Sequence, residues 1–223
     1  MHGKLLIIEG LDGSGKATQA ERLTQTLKAQ GRRVRKVSFP NFESDSSALV
    51  KLYLSGAFGS DPGDVNAYAA SVFFAVDRYA GFKSDWGAFY REGGIVVADR
   101  YTTSNAVHQC SKLPWEEWDG YLNWLFELEY RLMGIPAPDG VVYLKLDPDV
   151  SQALMTKRYH GHEEMKDIHE RNVDYLKHSA RAAEYCAKKY DWLTVECCAD
   201  GAMRSIEDIQ AEVFSRLTER ALL

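Results

Sequence analysis

The chain has 223 residues, of which 45% are hydrophobic and 26% charged, and carries a formal net charge of −5. That length suits one α/β domain with a sizeable core, and the acidic balance speaks against a general nucleic-acid binder, which is usually basic. No apolar run approaches the roughly 20 residues of a membrane span, no leader precedes the first strand pattern, and four cysteines without metal-ligand spacing (Cys110, Cys186, Cys197 and Cys198) fit free thiols in a reducing cytoplasm.

In chain order, Lys4 to Glu9 reads as a buried strand. Gly10-Leu11-Asp12-Gly13-Ser14-Gly15-Lys16 follows it, and Lys16 to Gln30 has helical spacing, with Ala20, Leu23 and Leu27 on one face and Gly31 as its stop. Val34 to Phe39 is a second strand, closed by Pro40. Ser47 to Gly56 reads as a short helix, 59–63 as a Gly/Asp/Pro loop, and Asp64 to Ala80 as a longer helix with an aromatic interior. Ser84 to Glu92 reads as helical and stops at Gly93-Gly94. Ile95 to Ala98 is a third buried strand ending at Asp99, Trp115 to Met133 an aromatic-rich helix, and Val141 to Leu146 a fourth strand. A polar helical region runs from about Asp149 to Lys189. Within it, Tyr159 to Ile168 is rich in His, Glu, Lys and Gly and reads as a flap. Trp192 to Glu196 is the fifth strand and Ser205 to Leu222 the last helix. Strands separated by helices imply a parallel sheet with right-handed crossovers and helices on both faces. With no repeat and no break in composition, residues 1–223 are expected to form a single domain.

The strand, glycine-rich loop and helix at the start are the context of a phosphate-binding loop. Glycines let successive backbone N–H groups turn toward phosphate oxygens, the helix N-terminus adds its dipole, and Lys16 supplies a point charge. The pattern calls for a hydroxyl directly after the lysine. This chain has Ala17 there and Thr18 one place later, so the loop at 10–18 is expected to hold a nucleoside triphosphate without the hydroxyl that usually follows the lysine. Asp99-Arg100-Tyr101-Thr102-Thr103-Ser104-Asn105 lies at the carboxyl end of the third strand, where open parallel sheets bind ligands. Asp99 is suited to Mg²⁺ and Arg100 to a phosphate, although a strand-end salt bridge is the plain alternative. On the helix Phe73-Phe74-Ala75-Val76-Asp77-Arg78, Phe74 and Arg78 are four apart and share a face. They suit stacking on a base and bonding its edge, or else core packing and a surface Asp77–Arg78 pair. Phe39-Pro40-Asn41-Phe42 lies at another carboxyl strand end. His160, His162 and His169 lack a tetrahedral partner set, so no zinc site is expected.

Taken in order, these motifs resemble the thymidylate kinase family of P-loop nucleoside-monophosphate kinases. The phosphate loop matches Glu9 to Lys16, the Phe-Pro turn matches Phe39-Pro40, the Phe-Ala-x-Asp-Arg helix matches Phe74 to Arg78, and the Asp-Arg-Tyr-x-x-Ser strand end matches Asp99 to Ser104. The resemblance implies a five-stranded P-loop sheet with a helical lid, and transfer of the ATP γ-phosphoryl group to dTMP with Mg²⁺. By position it implies that Gly10, Asp12, Gly13, Ser14, Gly15, Lys16, Ala17 and Thr18 bind ATP. It implies that Phe74 stacks on thymine, Arg78 bonds its edge and Arg100 holds the acceptor phosphate. Asp12 would position the acceptor, and Phe39, Pro40, Phe42, Ser104, Asn105 and Gln109 would line its pocket. Phe42 stands where the family often has Tyr or Arg.

Lys16, Asp12, Arg100 and Arg158 are the implied catalytic groups, with Thr18 and Asp99 the candidate metal ligands. Gly13 occupies a place where one subgroup has Arg, so the lid, about 157–168, is expected to supply cations from Arg158 and Lys166. A homodimer built on helices around Asp64 to Ala80 is also implied. Two other functions remain open from residues alone. One is a deoxynucleoside kinase using Glu43 as base; the other is a catalytically weakened nucleotide-binding relative.

Overall fold

The computed structural model describes residues 3–158, 162, 166–199 and 202–223. Five parallel strands form its centre: β1 (Lys4–Gly10), β2 (Val34–Ser38), β3 (Ile95–Asp99), β4 (Gly140–Lys145) and β5 (Leu193–Glu196), in the spatial order β2-β3-β1-β4-β5. Their apolar runs are continuous because both faces are covered. Along each central strand, successive side chains enter opposite cores. Leu5 and Ile7 of β1, Val96 and Ala98 of β3, and Val141 and Tyr143 of β4 join one core; Leu6, Ile8, Ile95, Val97, Val142 and Leu144 join the other. Two further two-residue strands, β6 (Cys198–Ala199) and β7 (Ala202–Met203), pair antiparallel at the side, and the sequence pattern gave no sign of them.

The helices are α1 (Lys16–Ala29), α2 (Ala48–Leu54), α3 (Ala67–Gly81), α4 (Gly87–Arg91), α5 (Thr102–Cys110), α6 (Trp118–Phe126), α7 (Pro148–Arg158), α8 (Ile168–Arg171), α9 (Val173–Lys189) and α10 (Ile206–Glu219). Ala20, Leu23 and Leu27 of α1 and Ile209, Val213 and Leu217 of α10 close one core, while α5, α6 and α9 close the other. Helix α3 starts at Ala67 rather than near Asp64 because the Asn66 side chain accepts from the Ala69 N–H at 2.9 Å. A separate 3₁₀ turn spans Pro62–Asp64.

Two elements depart from the sequence pattern. Thr102–Cys110 is helical, and every residue of it except Ser104 is buried, so it has no polar stripe from which an amphipathic helix is recognised. The stretch expected as one helix from Trp115 to Met133 is a 3₁₀ turn (Trp115–Glu117), then α6, then a π-helical segment (Glu127–Leu132). The polar region after β4 divides into α7, α8 and α9. Of the expected lid, 159–161 and 163–165 lie outside the described residues. Among the described residues no helix is long and apolar enough to cross a membrane.

Leu6 is fully buried in the central strand. Leu6→Ala is expected to lower the unfolding free energy by about 3 kcal/mol, measured by urea denaturation; a loss under about 1 kcal/mol would mean that the core collapses into the space.

Candidate active site

The loops after β1 and β3 leave the sheet toward opposite faces, α1 against one core and α5 against the other. Such a divergence opens a crevice beyond the carboxyl ends of the strands. The first lip is the glycine-rich loop. A Cβ on Gly10 would lie 2.7 Å from the Leu144 carbonyl oxygen, so only glycine lets β1 and β4 approach here, and Gly15 enters α1 at φ +86°. Lys16 is buried; its Nζ donates to the Leu11 carbonyl at 2.8 Å and lies 3.6 Å from Asp12 Oδ1. Burial, and then the Arg100 charge, push the Lys16 ammonium below its ordinary value. Ala17 and Thr18 are both exposed on the first turn of α1.

The second lip is Asp99-Arg100. Arg100 has φ +67°, and its guanidinium reaches back to the loop. Nη2 bonds Asp12 Oδ1, and Nη1 bonds His108 Nε2 at 3.2 Å and Ser104 Oγ at 3.4 Å. The strand-end salt bridge allowed by the sequence is thus present, made with Asp12. Burial would raise the Asp12 carboxyl, but Arg100 and Lys16 outweigh it and hold it well below the carboxylate range. Glu9, fully buried, accepts from the Gly10 N–H at 2.9 Å and from Thr103 Oγ1 and Ser104 Oγ at 2.7 Å each, and so ties β1 to α5. The Asp99 Oδ1 and Ser14 Oγ atoms are buried without a hydrogen-bond partner among the described residues.

A cavity of about 310 Å³ opens from this pair of lips. All ten residues expected at the acceptor line it: Asp12, Phe39, Pro40, Phe42, Phe74, Arg78, Arg100, Ser104, Asn105 and Gln109. Phe42 is half exposed at its edge. Gln109 is fully buried, and neither amide atom has a partner among the described residues. Arg78 makes no surface pair with Asp77. It is buried against Glu129, while Asp77, also buried, accepts from the Asn41 N–H at 2.8 Å and Ser46 Oγ at 2.6 Å and so anchors the turn after Pro40. The far wall comes from the end of the expected lid and the start of α8: Asp167, His169 and Glu170.

Two expected lid cations fare differently. Lys166 is buried and donates to Gln152 Oε1 and Thr156 Oγ1, both at 3.2 Å, so it serves the packing of α7 rather than projecting over the cavity. Arg158 ends α7, and its side chain lies outside the described residues. Among the described residues, no group of three or more His, Cys, Asp or Glu is arranged to hold a metal.

A thymidylate kinase family model matches residues 8–213. The chain belongs to the thymidylate kinase family. It is 30% identical over 206 residues to a thymidylate kinase of Mycobacterium tuberculosis, covering 88% of this chain and 92% of that one. It is 26% identical over 223 residues to a probable thymidylate kinase of Pyrococcus horikoshii, covering 100% and 99%. The solved structure of a Candida albicans thymidylate kinase superposes with a TM-score of 0.74 at 19% identity over 99% of this chain and 93% of that one, a likeness of fold.

Several residues of this thymidylate kinase site escaped the sequence motifs. Asp167 and Glu170 sit in a stretch whose mixed charge looks like a solvated face, yet Asp167 caps α8, and burial followed by the Asp12 charge pushes its carboxyl up to about 7. Glu129 had a usable signal. It continues the spacing of the buried Trp118, Leu122 and Leu125 and is therefore an acid on an apolar face. His108 and His169 had none. They stack at 5.5 Å in the cavity wall, where His169 Nε2 pairs with Tyr53 Oη at 2.8 Å.

Burial, then Arg100, pushes His108 down to about 3, and burial, then His108, pushes His169 well below its ordinary value. Both stay neutral in the fold, whereas the unfolded chain takes up their protons near pH ~6.5. Stability is therefore lost as the pH falls from about 6.5 toward 4. Asp167 acts in the opposite sense from about pH 4 to 7, since the fold holds a proton that the unfolded chain releases, but it is one group against two. The unfolding free energy is expected to be lower at pH 5 than at pH 7. His169→Gln, which keeps an acceptor for Tyr53, should reduce that slope by up to about 1.4 kcal/mol per pH unit, the limit reached below the unfolded histidine value. An unchanged slope would mean that His169 is charged in the fold.

Proposed function

We infer that this chain, as a kinase of the thymidylate kinase family, transfers the γ-phosphoryl group of ATP to dTMP, giving dTDP and ADP. The observation that carries the inference is one cavity joining the phosphate loop at Asp12 and Arg100 to an aromatic and arginine end at Phe74 and Arg78, in a chain matched by the family model over most of its length. In the proposed roles, Phe74 stacks on the thymine, Arg78 bonds its edge, and Asn105 and Gln109 complete the base pocket. Arg100 takes the acceptor phosphate and Asp12 orients it. The loop N–H groups hold the ATP phosphates, and Lys16 turns from the Leu11 carbonyl to the transferring group. Such a transfer passes through a loose, in-line transition state, so positioning and charge matter more than a strong base.

Magnesium fits what the chain offers. It needs few protein oxygens, because it keeps water and phosphate ligands. Asp99 Oδ1 is a buried oxygen without a partner among the described residues, beside the loop, and Asp99 is the proposed holder. Thr18 is exposed and has only the weaker claim of proximity in sequence. Bound there, the ion would neutralise phosphate charge. Residues 1–223 are proposed to act as one kinase domain, with Arg158 as the cationic residue of the lid. The four described cysteines are free, which suits the proposed cytoplasmic location. Glu43, the base a nucleoside kinase would need, is exposed and does not line the cavity, so the phosphorylated acceptor is favoured.

A coupled ADP-release assay with dTMP, dUMP, thymidine and AMP tests the inference: turnover with dTMP and none with thymidine or AMP is expected, and no turnover with dTMP would overturn it. Lys16→Ala is expected to lower kcat by about 100-fold or more while changing dTMP binding little, as for loss of a charge used in the transition state. An unchanged kcat would remove Lys16 from that role.

We also propose a homodimer. Tyr68, Val72, Val76 and Tyr79 form an exposed apolar stripe along α3, on the helix whose other side carries Phe74 and Arg78. Light scattering should give twice the chain mass for the wild type and the chain mass for Val76→Glu. A monomeric wild type would refute the dimer.

A further inference from the structure

The base end of the cavity holds a carboxylate that the acceptor contacts above do not use. Glu129 is fully buried, and it grips the Arg78 fork from both sides: Nε donates to Oε2 at 2.7 Å and Nη2 to Oε1 at 2.6 Å. Thr102 Oγ1 donates to Oε2 at 2.8 Å. Asn105 Nδ2 donates to Oε1 at 3.4 Å and to the Ser71 carbonyl at 3.1 Å. One side chain of the π-helical segment therefore fixes residues from both α3 and α5.

These bonds settle which atoms remain for a ligand. An arginine has only donors. With Nε and Nη2 committed, Nη1 is the nitrogen of Arg78 without a partner among the described residues, and Arg78 lines the cavity. The Asn105 amide cannot be turned over, because its oxygen would then meet a carboxylate and a carbonyl. Its nitrogen must face inward, which leaves Oδ1 as its available atom, and Asn105 also lines the cavity. The pairing also cancels the Arg78 charge, so the base end does not compete with Arg100 for a phosphate.

We propose that Glu129 is a positioning residue that sets base choice: by anchoring Arg78 and Asn105 it presents one fixed donor and one fixed acceptor to the base. That pair complements the 4-keto, 3-N–H edge of thymine or uracil, an acceptor followed by a donor. It opposes cytosine, whose 4-amino group donates and whose N3 accepts. The proposal rests on the dTMP acceptor inferred above and names what enforces it. A site built from fixed polar groups rejects a mismatched ligand strongly, because the wrong partner leaves buried groups unpaired.

The test compares dTMP, dUMP and dCMP with the wild type, Glu129→Gln and Thr102→Val, with folding checked by circular dichroism. Glu129→Gln removes the counter-charge of Arg78 and weakens one of the two acceptors that orient Asn105, the Ser71 carbonyl being the other. It is expected to raise the KM for dTMP by about tenfold or more, with a smaller fall in kcat, and to cut the preference for dTMP over dCMP by at least about tenfold. The ratio of dTMP to dUMP should stay as in the wild type, since both share the edge; a general structural defect would lower all three acceptors alike. Thr102 does not line the cavity, so Thr102→Val loosens Glu129 from behind, and about a threefold shift in the same direction is expected. A folded Glu129→Gln with the wild-type ratio of dTMP to dCMP overturns the proposal, and should that variant not fold, an unshifted ratio in Thr102→Val does so. A wild type without dTMP turnover would instead defeat the acceptor assignment, which separates the two failures.

Discussion

The ion pair between Asp12 and Arg100 is the interaction on which the site depends. The two residues follow neighbouring strands, and Ile8 of β1 lies opposite Asp99 of β3. Beyond those strand ends the chain departs to opposite faces of the sheet; the Arg100 N–H donates to the Ile8 carbonyl at 3.2 Å, but this ladder bond does not reach the loop at Asp12. Opposite charges do. Lys16 stands 3.6 Å from Asp12, and Glu9 stands 3.9 Å from Arg100, so charges of alternating sign run across the gap. Each is desolvated, and each would be costly alone. The set is stable as a set, which is why the positive φ of Arg100 is tolerated where the guanidinium has to turn back toward the loop.

The same logic separates the two arginines. Arg78 is 2% exposed and Glu129 0%, and Arg78 is held in a two-bond fork, so its partner cannot be exchanged without leaving a buried charge. Arg100 is 17% exposed and its partner Asp12 21%, at the rim of the cavity. In the role proposed for Arg100, an arriving phosphate would take over part of its guanidinium while Asp12 keeps Lys16 and solvent. On those proposals one arginine is a fixed template and the other a transferable charge, and the difference follows from depth in the fold rather than from residue type.

The strands and the phosphate loop were legible in the sequence because each rests on local rules, whereas the residues expected at the acceptor came from the family resemblance. Continuous apolar runs mark strands covered on both faces, and glycines mark the turn that needs them. The four-residue spacing of Phe74 and Arg78 fixes a shared helix face. What escaped rests on tertiary placement. Thr102 to Cys110 is wrapped on all sides, so the polar stripe that reveals a helix is missing. His169 and Asp167 belong to the site only because α8 folds back against α5 and α9, a contact with no signature in the residues themselves. Lys166 shows the converse. A lysine in a charged, glycine-containing stretch reads as a surface cation, yet its ammonium finds Gln152 and Thr156 on α7 and is buried.

Ala17 can be weighed against the other hydroxyls near the loop. Thr103 and Ser104 both donate to Glu9, and that use fastens α5 to β1. Thr18 is exposed on the first turn of α1. The Ser14 hydroxyl faces Gly10, where a Cβ would come within 2.6 Å of it, and so fills the inside of the loop. Thr103 and Ser104 are thus committed elsewhere, and Ser14 points into the loop. The uncommitted oxygen on the opposite lip is Asp99 Oδ1. Magnesium draws most of its ligands from water and phosphate and accepts one or two carboxylates. With Asp99 as the proposed holder, losing a hydroxyl would remove one neutral ligand from a set in which a carboxylate and the nucleotide carry the charge. The effect would fall on how firmly a metal–nucleotide complex is oriented, while the alternating charges of Glu9, Arg100, Asp12 and Lys16, none of which involves position 17, are left intact.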